Sequence, residues 1–126
     1  MTKYKSQKFK NTFKNAQRGL RLALKSETNI RIHFFIAACI LVLAYFLKFS
    51  ETKFCILLLT IASVICAEMV NSAIEFSLDA VFHNKYSKLV GMAKDIAAGA
   101  VMFTSIIAII IGILLFFPSI INIIIK

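Results

Sequence analysis

Charge is scarce in this sequence, and negative charge scarcer still. Only 17% of the 126 residues are charged, with 15 Lys+Arg against 6 Asp+Glu; soluble globular chains carry roughly a quarter. With 60% hydrophobic residues and a mean hydropathy of +0.83, that shortage excludes an ordinary soluble domain, and the length allows one domain at most. What remains is a membrane protein with a basic flank, or a nucleic-acid binder with an unusual core. Cysteine is equally thin. Cys39, Cys55 and Cys66 are odd in number, lie inside apolar runs and have no paired spacing, which argues against a disulfide framework or a zinc site. Glycine occurs only at 19, 91, 99 and 112, so neither a GxxxxGK[ST] nor a GxGxxG phosphate loop exists. The opening is also unlike a secretory signal, because some thirty residues of mixed basic sequence precede the first apolar run.

The apolar runs decide for membrane. One extends from Phe34 to Leu47 and reaches back to Ile32, a second starts at Phe54 and is uncharged until Glu68, and a third, Ile96 to Phe117, carries no charge. A span needs roughly 20 mostly apolar residues. The expected architecture is a single all-α membrane domain over 1–126: an amphipathic surface helix at about 8–28, transmembrane helices at 32–48, 54–80 and 95–117, and a loop at 81–94. The first run is short, so His33 and Lys48 are expected at its two ends. Nine of the 15 Lys+Arg lie in residues 1–31. The positive-inside bias therefore puts the N-terminus and the 81–94 loop in the cytoplasm. Phe9, Phe13, Ala16, Leu20 and Leu24 repeat at helical steps, and Lys10, Lys14, Arg18, Arg21 and Lys25 mark another face. A basic amphipathic helix joined to three spans has anionic lipid, not nucleic acid, as its nearest polyanion.

Against this background the acids stand out. Glu68, Asn71, Ser72, Glu75 and Asp79 fall on one helical face, with Glu68 just inside the cytoplasmic boundary and Glu75 and Asp79 at it or beyond. Intramembrane carboxylates are costly and point to function by default. Lys94 and Asp95 open the third span from the same side, followed by Ala97, Ala98, Gly99 and Ala100, small residues that allow a neighbouring helix to approach. Glu27 stands where the basic helix meets the first span, and its local alternative is an ion pair with Arg31. Five of the six acids, all but Glu51, thus gather at one boundary.

Carboxylates, a lysine and an amide at a water–lipid interface suit phosphoryl transfer from ATP with Mg²⁺. A carboxylate held partly out of water is a stronger base, which suits Glu68. Glu27 and Glu75 suit the metal, and Lys94 the phosphates. The same residues are equally compatible with an interhelical polar network, and a non-enzymatic pore or transporter component is the rival from another class. In a lone three-helix chain Glu68 is expected to face lipid, which favours assembly.

The pattern Glu68-x-x-Asn-Ser-Ala-Ile-Glu75-x-x-x-Asp79, followed by Ala93-Lys-Asp-Ile-Ala-Ala-Gly-Ala-Val101, resembles the prokaryotic diacylglycerol kinase family, small three-span lipid kinases. Gly19-Leu and Glu27-Thr-Asn-Ile-Arg-Ile-His33 resemble its Gram-positive branch, which prefers undecaprenol. The resemblance implies a homotrimer in the bacterial inner membrane, with composite active sites at the cytoplasmic boundary and no nucleic-acid partner. It implies Glu68 as catalytic base, also touching the lipid alcohol together with Ser72 and Ala98. It implies Glu27 and Glu75 as metal ligands, and Glu27, Asn71, Glu75, Lys94 and Asp95 around ATP. Lys85-Tyr86-Ser87 would line the nucleotide, although the family usually reads Tyr-His where this chain has Tyr86-Ser87.

Overall fold

A computed structural model describes residues 9–83, 85 and 87–125. Those residues form four helices: α1 (Phe9–Ser26), α2 (Thr28–Phe46), α3 (Glu51–Phe82) and α4 (Lys88–Ile124). The last three are long and apolar enough to cross a bilayer. The chain is thus all-α, with an N-terminal helix before three candidate spans. α1 buries none of its residues, and Phe9, Phe13 and Leu20 stand exposed beside its lysines and arginines, as a helix that rests its apolar face on lipid requires.

Each helix starts where local chemistry allows. α2 begins at Thr28, four residues ahead of the expected start, where the extended backbone of Glu27 breaks it from α1; Arg31 donates to Thr28 Oγ1 at 2.9 Å. His33 therefore sits in the second turn, half-buried, and not at a helix end. The chain turns back through Lys48, whose φ is +52° and whose side chain is exposed. Ser50 then caps α3, its hydroxyl accepting from the Lys53 N–H at 3.4 Å, with Glu51 in the first turn, where the helix dipole favours an acid. α3 ends at His83 in the left-handed region, φ 49° and ψ 41°. Ser87 caps α4 by accepting from the Val90 N–H at 3.3 Å, so that helix begins at Lys88 rather than 95.

α4 also continues through Pro118 to Ile124, beyond the expected end at 117. A membrane helix tolerates a proline when nearby groups compensate the lost N–H. Pro118 frees the Leu114 carbonyl four residues back; beside it, Ser119 donates to the Leu115 carbonyl at 3.0 Å and accepts from Lys53 Nζ at 2.9 Å.

α3 is the central element. At one end Ala44, Leu57 and Leu115 form the buried core, with Phe49 and Phe116 packed on it, ring centroids 4.7 Å apart. The Lys53 ammonium lies 5.4 Å from the Phe49 ring centroid. At the other end Lys94 donates to Asp79 Oδ1 at 2.6 Å. Lys53–Ser119 and Asp79–Lys94 set α3 and α4 antiparallel and bracket the apolar stretch between them. From Lys53 to Asp79 the helix rises roughly 40 Å, more than the approximately 30 Å of hydrocarbon. With Lys53 at one boundary, Glu68 falls just inside the other, and Glu75 and Asp79 beyond it. An apolar cleft of about 460 Å³ opens between α2, α3 and α4, with His33 and Ser105 among its few polar lining residues.

Candidate functional site

The end of α3 away from Lys53 carries the polar face. Glu68 is 8% exposed and Ser72 is buried, whereas Asn71, Glu75 and Asp79 are half-buried. The expected exposure of Glu68 to lipid is not what the structure shows. α2 covers it, and His33 Nε2 lies 3.3 Å from Glu68 Oε1. The mismatch has a simple cause: side-chain spacing along α3 says nothing about which residue of α2 packs over it. His33 was placed at a helix end by the short apolar run. The signal that would have found it is the rule that an ionisable residue inside a span is functional by default.

One turn on, Asn71 Nδ2 donates to Glu75 Oε1 at 3.1 Å. Asn71 Oδ1 is buried without a hydrogen-bond partner, an orphan that native structures rarely keep. The second Glu75 oxygen and this amide oxygen are hard donors of the kind Mg²⁺ takes, so the residues present fit such an ion. Among the described residues, no three His, Cys, Asp or Glu side chains are clustered closely enough to hold a metal, so one chain leaves the coordination incomplete.

Glu27 occupies the break between α1 and α2, at the N-cap of α2 with φ −109° and ψ 114°, and its carboxylate caps nothing. The local alternative for it does not form, since Arg31 is engaged by Thr28 and the ion pairs among the described residues are His33–Glu68 and Lys94–Asp79. Lys94, expected on phosphates, is held by Asp79 with both side chains still about a third exposed. Asp95 next to it is exposed. Ser72 is buried whereas Ala98 is exposed, so one chain does not present both on a common open surface. Lys85 is exposed and Ser87 spends its hydroxyl on the α4 cap; Tyr86 lies outside the described residues.

Three candidate spans, a basic N-terminal helix and a carboxylate–amide face at one end of α3 define a small membrane protein. Residues 14–116 match the prokaryotic diacylglycerol kinase family. The chain is similar to an undecaprenol kinase of Bacillus subtilis (strain 168), 33% identical over 89% of this chain and 90% of that protein. It also resembles diacylglycerol kinases of Synechocystis sp., 32% identical over 88% of this chain and 63% of that longer protein, and of Haemophilus influenzae, 31% identical over 85% and 91%. The chain belongs to the prokaryotic diacylglycerol kinase family. It is a membrane-embedded lipid kinase, and the pore or transporter reading gives way.

Proposed function

We propose that this kinase moves the γ-phosphate of ATP to the hydroxyl of undecaprenol at the cytoplasmic face of the bacterial inner membrane. The observation that carries the reading is the placement of Glu68, buried just inside the boundary, on the same face of α3 as Asn71 and Glu75. The name of the Bacillus relative favours the polyprenol. The cleft lined by His33 supports it too, offering a long hydrocarbon chain an apolar path that begins beside the partner of Glu68.

In this reading Glu68 takes the hydroxyl proton as the lipid oxygen attacks the γ-phosphorus. The bond from that phosphorus to the β–γ bridging oxygen breaks, and ADP leaves. Glu75, held by Asn71, together with Asn71 Oδ1 and Glu27, would hold Mg²⁺, which neutralises phosphate charge when bound. Lys94 exchanges Asp79 for phosphate oxygens, and Asp95 and the 85–87 stretch line the nucleotide. Ser72 and Ala98 border the lipid headgroup. Homotrimeric assembly would complete the set. A Cβ added at Gly99 meets nothing within 4 Å in one chain, so the small residues at the start of α4 leave room for a helix of another copy.

The test is purified protein in mixed micelles with Mg²⁺, γ-labelled ATP and either undecaprenol or diacylglycerol. Label is expected in undecaprenol. Preferential labelling of diacylglycerol, the activity named for two of the relatives, would reverse the substrate assignment.

A further inference from the structure

Burial of Glu68 poses a problem that α3 does not solve by itself. A carboxylate at 8% exposure beside hydrocarbon is costly unless a donor reaches it. Among the described residues the one side chain hydrogen-bonded to it is His33, from the second turn of α2, at 3.3 Å to Oε1. Acting as the base, Glu68 is ionised and only accepts, which calls for the imidazole proton at Nε2. The distance is long for a charge-assisted bond, as such contacts often are before substrate closes the site. His33 also lines the apolar cleft, so it joins the carboxylate to the space beside it.

We infer that His33 is a positioning residue for the base: its Nε2–H holds Oε1 of Glu68, leaving Oε2 to receive the proton of the lipid hydroxyl. The inference rests on the assignment of Glu68 as base and adds to it the group that sets its orientation. The imidazole does not take the substrate proton. A side chain with an amide N–H at about the position of Nε2 can therefore replace it, whereas an apolar one cannot.

The experiment compares His33→Gln, His33→Leu, Glu68→Gln and the double variant His33→Leu/Glu68→Gln by steady-state kinetics on protein of matched oligomeric size. His33→Leu is expected to lower kcat about tenfold or more with KM for ATP and lipid nearly unchanged, and His33→Gln to restore most of it. In the Glu68→Gln background, His33→Leu should cost nothing further, because the group it orients is gone. Unaltered kcat in His33→Leu while Glu68→Gln is dead overturns the positioning role alone. Loss in His33→Gln equal to that in His33→Leu overturns it too, since the ring itself would then be required. Full activity in Glu68→Gln would instead remove the base assignment. A measurement on the unmutated protein is independent of folding. With two histidines in the chain, ring ¹⁵N shifts assigned by comparison with His33→Gln should show His33 protonated at Nε2; a proton on Nδ1 alone refutes the inference.

Discussion

At the scale of single residues, Glu68 and Glu75 differ in surroundings although they share a helix face. Glu68 is buried against α2 and held by an imidazole; Glu75 is half-buried, tied to its own helix by Asn71 and nearer to water. Glu68→Gln should therefore abolish turnover with Mg–nucleotide binding intact, whereas Glu75→Gln should weaken that binding. Isothermal titration on both variants checks this, and equal affinities would show the roles to be wrongly divided. The Lys94–Asp79 pair is short but about a third exposed on each side, and such pairs contribute at most about 1 kcal/mol. Asp79→Asn should thus shift the thermal unfolding midpoint little, while Lys94→Met should raise the KM for ATP. The spacing on α3 made Glu68, Asn71 and Glu75 legible in advance, because 3.6-residue periodicity alone aligns them. The contact of His33 with Glu68 was not legible, since it joins residues far apart in sequence.

At the scale of elements, one end of the α3–α4 hairpin depends on Lys53 and Ser119. The ammonium donates to the Ser119 hydroxyl beneath the Phe49–Phe116 pair. Removing only the acceptor leaves a cation without its partner; removing the cation leaves a hydroxyl that still bonds Leu115. Ser119→Ala should accordingly destabilise more than Lys53→Met, by about 1 kcal/mol, read as the difference in unfolding midpoints in detergent. Both variants should retain their activity per folded molecule. Hydrophobic runs gave the number and approximate position of the spans, but their ends are set by polar groups that composition ignores. Ser87 capping moves the start of α4 to Lys88, and the helix runs on through Pro118 to Ile124.

At the scale of the whole molecule, one chain buries little of itself. Ile96, Met102, Phe103, Ile109, Ile113, Leu114 and Phe117 of α4 are exposed, and among the described residues no cluster of three His, Cys, Asp or Glu completes the metal site proposed at Asn71 and Glu75. If Glu27 reaches the site from another copy, mixing inactive Glu68→Gln and Glu27→Gln subunits in a common assembly should regain activity, because some sites then receive neither substitution. Persistent inactivity after verified subunit exchange would argue for sites made within one chain.

Composition and periodicity were sufficient to determine an all-helical membrane chain, the number of its spans and the helix face that bears the carboxylates. Each of these follows from local quantities: transfer free energy along a run, and a fixed angle per residue. Only the tertiary structure decided that α2 covers Glu68, that His33 is its hydrogen-bond partner, that Lys53 meets Ser119 and that Asn71 keeps an unpaired oxygen. Those depend on how helices distant in sequence are set against one another. That register comes from side-chain packing between helices, which no pattern within a single helix records.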